Sequence, residues 1–371
     1  MTKKLLYLLL AALCAASCLF GCYGADGPAR SSAPGGPSAA DSSETPATES
    51  GSAPVPAAEG KLRVHYIDVG QGDSVFIELP DGEYMLIDCG ERDCAGRVIS
   101  FIDRLGCEKI DYLLATHPHT DHMGGMAQVI GSFAIGRIFM PDVVATHSSF
   151  SAMLAAISEK GAKIETVSPG FFIFEKEDLR AEVLGPLRIT PENLNNCSVV
   201  LKLQYGGTSF LFAADAEKDE EAELVGAYGE KLKSDAVKIG HHGSADSSSE
   251  EFVRAVGAKI GIISCGAGNP YGHPNRGVMT RWLDSGMETL LRTDLEGTVT
   301  VVSDGETVSV GKERAETEYK WVLNLNGKKI HRPDCEGVPG IAERNRVFSV
   351  RTLAELEKQG FSPCGKCRPE E

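Results

Sequence analysis

From about residue 61 onward, short segments in which apolar and polar residues alternate follow one another along the chain. Turn sequences rich in Gly and Asp separate the first of these segments, which are LRVHYID, SVFIEL and EYMLID. Alternation with a period of two, bounded by turn residues, predicts β-strands joined by tight turns. We therefore expect this region to begin with β-hairpins.

Strand-like and helix-like segments then alternate. Residues 94–105 have the apolar spacing of a helix, and the apolar residues 112–116 predict a strand. The alternation returns later, with an acidic amphipathic helix at 216–228 and the predicted strands VVLKLQY, TSFLFAAD and DAVKIG. This order predicts an α/β fold, a sheet sandwich covered by helices, over residues 61–311. We expect the acidic helix to form a solvated face, except at Glu217.

The first 60 residues have a different pattern. Lys3 and Lys4 precede a short apolar run that ends in Leu-Phe-Gly-Cys at Cys22. Its length and small flanking residues are typical of a secretory signal rather than a spanning helix. Because this ending resembles a bacterial lipoprotein cleavage box, we expect residues 1–22 to be a signal peptide with Cys22 lipidated. An ordinary cleaved signal is the alternative.

Residues 23–60 consist mostly of Gly, Pro, Ala and Ser. Such a composition cannot bury a core, so we expect a disordered linker. No later stretch approaches 18 consecutive apolar residues, so the lipid anchor is the only expected membrane contact. The predicted location is therefore extracytoplasmic, at the cell membrane.

Composition and charge limit the possible functions. The chain has 371 residues, of which 42% are hydrophobic, enough for a sizeable core. Its formal charge of −15 argues against a generally basic surface that coats nucleic acid. It does not exclude a nucleic-acid enzyme, because bound divalent cations supply strong local positive charge.

Metal-ligand chemistry is concentrated at the ends of the predicted strands, where sites of α/β folds form. The stretch ATHPHTDHMGG places His117, His119, Asp121 and His122 within six positions. Groups this crowded would repel one another without a cation, which favours a metal site over a solvated loop. The further candidates that follow predicted strands are Asp88, Asp215, His241 and His242.

The spacing suggests two neighbouring metal positions. His117 and His119 alternate and can face one ion, whereas Asp121 and His122 would point to a second position. Asp215 could bridge the two ions, and a later histidine would complete the second. Two such cations hold a hydroxide between them and stabilise both the attacking and the leaving oxygen.

The motif THPHTDHMGG resembles the His-x-His-x-Asp-His signature of the metallo-β-lactamase superfamily. From about Leu62 to Val310 the chain looks like the soluble hydrolase domain of ComEC-type DNA-uptake proteins, through the motifs YIDVGQGDSVFIELP, LIDCG, NNCSVVLKLQYGGTSFLFAADAE, KIGHHGS, GAGNPYGHP and RTDLEGTVTV. The resemblance implies an αββα sandwich with two metals. The implied ligands are His117 and His119 for the first metal, Asp121 and His122 for the second, and Asp215 between them. The similarity does not include a membrane channel, so a role in DNA transport is not implied.

Either histidine of the pair His241 and His242 could be the ligand, and a second resemblance, to phosphorylcholine esterases of the same superfamily, distinguishes their roles. It implies that His242 binds metal while His241 and Glu217 face the substrate phosphate. We therefore expect Asp121, His241 and Glu217 to take part in catalysis.

The chain departs from the superfamily pattern at the first metal. Members with a full first site carry a further histidine where this chain reads NLNNCSVV. Asn195 or Asn196 could offer an amide oxygen, which is a weaker Zn²⁺ ligand than imidazole. We therefore expect one or two Zn²⁺ ions, with a weakly held first ion, or Mn²⁺ in its place.

Three further residues have two interpretations each. Asp73 and Asp88 are candidates to orient ligand histidines, although a turn-stabilising role is equally compatible with the sequence. His273, in a Gly- and Pro-rich loop, either touches the substrate or is structural.

The tail, residues 318–371, contains four soft ligands with the spacing of a zinc site: His331, Cys335, Cys364 and Cys367. A unit this small can bury little, so we expect a structural Zn²⁺ to supply stability. The sequence around these ligands, HRPDC and GFSPCGKC, resembles small Ada-type zinc modules fused to nucleases. His331 stands where the DNA-repair version has cysteine, so methyl-accepting chemistry is not implied.

Together these patterns predict a metal-dependent hydrolase, most simply a phosphodiesterase or nuclease that acts on extracellular DNA or RNA. A small-phosphodiester or cell-envelope esterase is the first alternative. A non-catalytic binding protein with a vestigial metal site is the second. No protein partner is implied.

Overall fold

The computed structural model describes residues 60–311 and 319–370. The predicted signal peptide with Cys22 and the predicted linker up to residue 59 lie outside the described residues. The strands, in chain order, are β1 Leu62–Tyr66, β2 Val75–Glu78, β3 Tyr84–Ile87, β4 Lys109–Leu114, β5 Ala134–Met140, β6 Ile164–Thr166, β7 Phe172–Glu175, β8 Leu179–Val183, β9 Leu201–Tyr205, β10 Thr208–Phe212, β11 Ala236–Lys238, β12 Ile260–Ile263, β13 Thr289–Arg292, β14 Val299–Ser303, β15 Val308–Val310, β16 Trp321–Asn324, β17 Lys329–His331, β18 Arg346–Ser349 and β19 Ser362–Pro363. The α-helices are α1 Ala95–Arg104, α2 Thr120–Met123, α3 Met126–Ser132, α4 Ser148–Glu159, α5 Lys218–Tyr228, α6 Glu250–Val256, α7 Arg276–Asp284, α8 Thr293–Glu296 and α9 Leu353–Lys358.

Two large sheets form the centre of the fold. The first has the strand order β15-β14-β1-β2-β3-β4-β5-β6, and the second has the order β13-β12-β11-β10-β9-β8-β7. Antiparallel pairing joins β1, β2 and β3, as the alternating pattern predicted. From β3 to β6, and from β10 to β13, the strands run parallel. Parallel neighbours end at the same sheet edge, which matters for the site below.

The core lies between the two sheets and on their outer faces. Alternate residues of β2 pack on opposite faces of the first sheet. Val75 and Ile77 pack between the two sheets, and Phe76 packs on the outer face. In β10, Phe210 and Phe212 likewise point inward. Helices α1, α3 and α4 cover the first sheet, whereas α5, α6 and α7 cover the second. The architecture is the αββα sandwich that the sequence predicted.

The acidic helix α5 differs from the expectation of a solvated face. Glu220 and Glu221 are buried, at 2% and 0% exposure. The Glu221 carboxylate accepts hydrogen bonds from the backbone N–H groups of Ser248 and Ser249, the latter at 2.7 Å. These donors precede α6, and the first N–H groups of a helix need partners outside it. The expectation was wrong at these two positions. For Glu221 the reason is that the helix pattern does not show which neighbouring backbone needs its carboxylate, whereas the buried Glu220 oxygens have no hydrogen-bond partner among the described residues.

The C-terminal strands form a separate four-stranded sheet, ordered β18-β16-β17-β19, that packs on α1. Its apolar side chains join the cluster on the outer face of the first large sheet; they include Trp321, Leu323, Ile330, Val347, Leu356 and Phe361. A Cβ atom on Gly96 would lie 2.6 Å from the carbonyl oxygen of Arg346, so this glycine allows the close approach. The small unit therefore gains stability by packing on the larger one, in addition to any metal.

None of the helices among the described residues combines the length and apolar character needed to cross a membrane.

Among the described cysteines, Cys89, Cys107, Cys197 and Cys265 are buried free thiols.

Candidate metal centre

Two neighbouring strands of each large sheet deliver polar side chains to one edge of the sandwich. Asp88 follows β3, and the His117–His122 segment follows β4. In the second sheet, Asp215 follows β10, and the pair at 241–242 follows β11. Because β3 and β4 are parallel, as are β10 and β11, each pair of strands ends at a common edge.

The first ligand group consists of His117, His119 and Asp215, whose donor atoms all lie within 4.8 Å of one another. His117 Nε2 lies 3.0 Å from His119 Nδ1 and 3.9 Å from Asp215 Oδ2. Beside this group, Asn195 Oδ1 is buried without a hydrogen-bond partner. Asn196 Oδ1, by contrast, accepts the backbone N–H of Glu217 at 3.0 Å. The geometry thus favours Asn195 over Asn196 as a further oxygen ligand.

The second group consists of Asp121, His122, Asp215 and His242, again within 4.8 Å. His122 Nε2 lies 3.2 Å from Asp215 Oδ1, and His242 Nε2 lies 3.2 Å from Asp121 Oδ2 and 3.4 Å from Asp215 Oδ2. Asp215 belongs to both groups. The structure therefore brings together the ligand candidates as the sequence grouped them, with Asp215 between.

The donor set fits a divalent cation. His122 Nε2, His242 Nε2 and Asp215 Oδ1 are buried and have no hydrogen-bond partner, although they lie close together. A buried polar atom without a partner costs about 1–3 kcal/mol, so three in one place require a compensating ligand. Imidazole nitrogen and carboxylate oxygen are suitable ligands for Zn²⁺ and Mn²⁺.

Buried hydrogen bonds hold the ligand histidines in position. His122 Nδ1 lies 2.7 Å from Asp88 Oδ2, and Asp88 also accepts the Thr116 backbone N–H at 2.9 Å and its hydroxyl at 2.6 Å. His242 Nδ1 lies 2.9 Å from the carbonyl oxygen of Ser264 and 3.3 Å from Asp73 Oδ1. A partner on Nδ1 turns Nε2 toward the other ligands. For Asp88 and Asp73, this geometry favours the orienting role over the turn role.

The electrostatics of the cluster demand positive charge. Burial lowers the pKa of His122, but the carboxylates of Asp215 and Asp88 outweigh burial and raise this pKa well above its ordinary value. The pKa of His242 is raised in the same way beside Asp215. Burial and then the neighbouring His122 lower the pKa of His117 well below its ordinary value. The carboxylates thus favour positive charge at the second group, which either protonated imidazoles or a divalent ion can supply.

Unusual backbone conformations bring the loops together. Gly72 has φ 133°, and a Cβ atom there would lie 2.2 Å from the carbonyl oxygen of Asp121. The next residue, Asp73, donates its N–H to that same oxygen at 3.1 Å. His241 and His242 have φ values of 49° and 53°, in the left-handed region that non-glycine residues seldom adopt. Such strain is typical of functional loops held in place by their surroundings.

Lys238 is a residue that the sequence analysis missed. Its ammonium group is 1% exposed, contacts the Asp73 carboxylate and donates to the Ala214 carbonyl oxygen at 2.8 Å. It also lies 3.8 Å from Asp215 Oδ1. The available signal was a lysine inside the predicted strand DAVKIG, directly before the histidine pair.

A cavity of about 380 Å³ opens above the ligands, and Asp121, Asp215, His241 and His242 line it. His241 Nδ1 lies 3.4 Å from Glu217 Oε1, and the ring centroid of His273 lies 5.6 Å from that of His241. The structure thus places these three substrate candidates together beside the metal ligands. The cavity-lining residues that the sequence did not single out for the site include Gln71, His147, Leu194 and Tyr271.

The C-terminal ligands also meet. His331, Cys335, Cys364 and Cys367 have donor atoms within 4.8 Å of one another, and His331 Nδ1 lies 3.4 Å from Cys335 Sγ. One imidazole and three thiols suit a closed tetrahedral zinc site.

Comparison with known proteins agrees with this fold. Residues 67–267 match the family model described as the metallo-β-lactamase superfamily. The chain is 33% identical to ComE operon protein 3 of Bacillus subtilis (strain 168) over 261 residues, which cover 66% of this chain and 33% of that protein. It is 30% identical to competence protein ComA of Neisseria gonorrhoeae over 240 residues, 64% of this chain and 32% of that one.

A third relative, recombination protein 2 of Haemophilus influenzae, is 26% identical over 224 residues, which cover 59% of this chain and 26% of the relative. The chain spans about a third or less of the length of these curated relatives. The match to the family model covers more than half of the chain, and two of the three relatives carry the names of competence proteins, as the resemblance predicted. The chain therefore belongs to the metallo-β-lactamase superfamily and is a metal-dependent hydrolase related to ComEC-type competence proteins.

Proposed function

We propose that this chain is a phosphodiesterase that cleaves extracellular DNA or RNA with two divalent cations. One observation carries the proposal: two ligand groups share Asp215 at the base of an open cavity. Paired divalent cations are the usual device for displacement at phosphorus, because they clamp both the attacking and the leaving oxygen. The names of the relatives, two of which are competence proteins, favour nucleic acid as the phosphodiester.

When bound, the cations would lower the pKa of a water molecule and offset charge on the phosphate oxygens. His117, His119 and Asp215 would hold the first, with Asn195 as a weak oxygen ligand. Asp121, His122, Asp215 and His242 would hold the second. The missing histidine favours a weakly held first ion, Zn²⁺ or Mn²⁺.

The chain's own residues then position the phosphate. His241 lies at the cavity with its Nε2 3.8 Å from Asp215 Oδ2, so an oxygen near the ligands is within reach of its ring. Glu217 keeps the His241 side chain in place, and Asn193 and Asn195 donate to the Glu217 carboxylate at 2.6 Å and 2.8 Å. Asp121 belongs to the second ligand group and also lines the cavity, so the metal that it would hold lies next to the bound phosphate.

The test uses the purified chain with measured metal content. Single-stranded DNA, double-stranded DNA, RNA and a small phosphodiester would be offered to the protein and to Asp121→Ala. The exposed Asp142→Ala serves as a matched control. Nucleic-acid cleavage that Asp121→Ala loses and Asp142→Ala keeps supports the proposal. Metal binding without turnover of any substrate would instead support a vestigial binding protein.

A small-phosphodiester or cell-envelope esterase is the second candidate. The contact between His241 and Glu217 favours it, because the resemblance to phosphorylcholine esterases assigns both residues to the substrate phosphate. Turnover of the small ester alone would select this function over the nuclease.

We further propose that residues 318–371 form a module closed by one structural Zn²⁺. No protein partner is proposed.

We also propose that Cys22 carries a lipid that holds the enzyme on the outer face of the cell membrane. In cell fractionation, Cys22→Ala should move the protein from the membrane to the soluble fraction. An unchanged membrane fraction would contradict the anchor.

A further inference from the structure

Tyr271 occupies an unusual place at the edge of the metal-site cavity. Its side chain is 68% exposed although it lines the same cavity as the proposed metal ligands. One face of its ring stacks on His273, with centroids 5.6 Å apart and planes at 26°. The exposed remainder of the ring is available for a second flat partner.

The loop that carries Tyr271 is held firmly. Asn269 Oδ1 accepts the backbone N–H groups of Tyr271 and His273 at 3.2 Å and 3.0 Å. Its Nδ2 group donates to the carbonyl oxygens of Gly266 and His273 at 2.9 Å and 2.6 Å. Four hydrogen bonds from one side chain fix the loop around the aromatic ring. A ring ordered in advance loses less conformational entropy when a ligand stacks on it.

His273 connects this ring to the reacting centre. Its ring centroid lies 6.2 Å from that of His242, one of the proposed ligands, and 5.6 Å from that of Tyr271. His273 also lines the cavity. The cavity edge therefore offers an imidazole ring close to the metal ligands and a second aromatic ring further out.

The charge of the chain favours such a face. With 37 Lys and Arg against 52 Asp and Glu, the chain has a formal charge of −15, which opposes binding by neutralisation of phosphates alone. Stacking of bases on aromatic side chains does not depend on charge, and it needs bases whose faces are free. Paired bases in a duplex are already stacked on their neighbours.

We propose that Tyr271 is a stacking platform for one nucleobase beside the bound phosphate, and that the substrate is therefore an unpaired nucleic-acid strand. This inference rests on the proposed phosphodiesterase function, whose site it extends. Tyr271 sets substrate preference, and His273 supports its ring and contacts the nucleotide between base and phosphate.

The test measures binding separately from cleavage. Single-stranded oligonucleotides that carry one abasic position, moved stepwise along the strand, would be bound to the full chain with Asp121→Asn to prevent turnover. Tyr271→Leu and Tyr271→Phe would be added to this background, with the exposed Leu283→Ala as control. We expect Tyr271→Leu to weaken binding of the intact strand about tenfold or more, and Tyr271→Phe and Leu283→Ala to leave it unchanged.

One abasic position should weaken binding to the chain that retains Tyr271 and have no further effect on Tyr271→Leu. The inference would be overturned if Tyr271→Leu bound the intact strand as tightly as its parent does, or if Tyr271→Leu weakened binding of intact and abasic strands equally. The absence of any binding would also overturn it. Cleavage is assayed in the chain with Asp121 intact. Base-dependent binding without cleavage would count against the proposed function and leave the stacking platform supported.

Discussion

At the scale of single residues, three buried carboxylates at the same sheet edge have different surroundings. Asp88 accepts hydrogen bonds from Thr116 and contacts His122, whereas Asp73 contacts Lys238. Asp215 has one oxygen without a hydrogen-bond partner and belongs to both ligand groups. Asp73 Oδ1 also lacks a hydrogen-bond partner, but it lies 3.3 Å from His242 Nδ1, so Asp73 and Asp88 both orient ligand histidines. Asp215 instead faces the Nε2 atoms of His122 and His242 and is available to a cation.

The orienting role of Asp88 leads to a prediction about metal affinity. Asp88→Asn keeps the size of the side chain but removes the charge that holds His122 Nδ1. We expect the second ligand group to lose about 10- to 100-fold in metal affinity, measured by competition with a chromophoric chelator. The exposed Asp142→Asn should bind like the parent chain. If Asp88→Asn kept full affinity, the orienting role would be refuted.

Lys238 leads to a prediction about stability. Lys238→Met leaves the buried Asp73 carboxylate without its cation, which costs about 3–5 kcal/mol in the free energy of unfolding. Denaturant unfolding of the metal-free chain measures this loss without interference from metal binding. Lys233→Met, at an exposed position nearby, should stay within about 0.5 kcal/mol of the parent. A loss for Lys238→Met no larger than that of the control would mean that the buried contact stabilises little.

The sequence allowed most of the site residues to be selected, because histidine and aspartate concentrated after apolar strands are chemically distinctive. Lys238 and Tyr271 were not selected for the opposite reason. A lone lysine or tyrosine has no distinctive pattern, and only the folded chain shows that the first is buried against carboxylates and the second exposed beside them.

At the scale of elements, the site depends on strand ends and on the loops that leave them. The predicted strands agree well with the structure because alternation along β1 to β3 directly reflects their two faces. Contacts between elements were less predictable. The buried Glu221 of α5 shows this, because its partners are the backbone N–H groups of residues 248 and 249, distant in sequence.

Gly72 provides the test at this scale. Gly72→Ala would place a methyl group against the backbone of Asp121 at a φ that alanine avoids. We expect a loss of more than about 1 kcal/mol in stability and weaker metal binding, because the loop with Asp73 must move away from Asp121. Gly131→Ala in α3, where a Cβ atom meets nothing within 4 Å, should be neutral or stabilising by up to about 1 kcal/mol. Equal behaviour of the two variants in unfolding and metal titration would contradict this account.

At the scale of the whole molecule, the C-terminal sheet packs against the hydrolase portion rather than standing apart. Asp103 of α1 accepts the Ser349 hydroxyl at 2.6 Å and the Val350 N–H at 3.1 Å, and it contacts the Arg351 guanidinium. The sequence predicted the four zinc ligands from their spacing. It could not predict this docking, because the outward-facing residues of α1 have the same helical pattern whichever partner covers them.

Asp103→Ala should loosen the docked sheet. Removal of the carboxylate leaves the Arg351 side chain, which is 12% exposed, without its carboxylate partner, at a cost of about 3 kcal/mol or more. Amide hydrogen exchange across residues 346–351 should then accelerate, whereas exchange in β9 and β10 stays slow. Asp142→Ala, at an exposed carboxylate, is the control. Unchanged protection in residues 346–351 would contradict the docking role of Asp103.

We expect two divalent cations that share Asp215 to bind at this edge of the sandwich. Anomalous diffraction from crystals grown with Zn²⁺ or Mn²⁺ locates each metal without reference to activity. Two peaks should lie about 3.5–4 Å apart, one beside His117 and His119 and one beside His122 and His242. A crystal in which the only metal lies among Cys335, Cys364 and Cys367 would contradict this expectation.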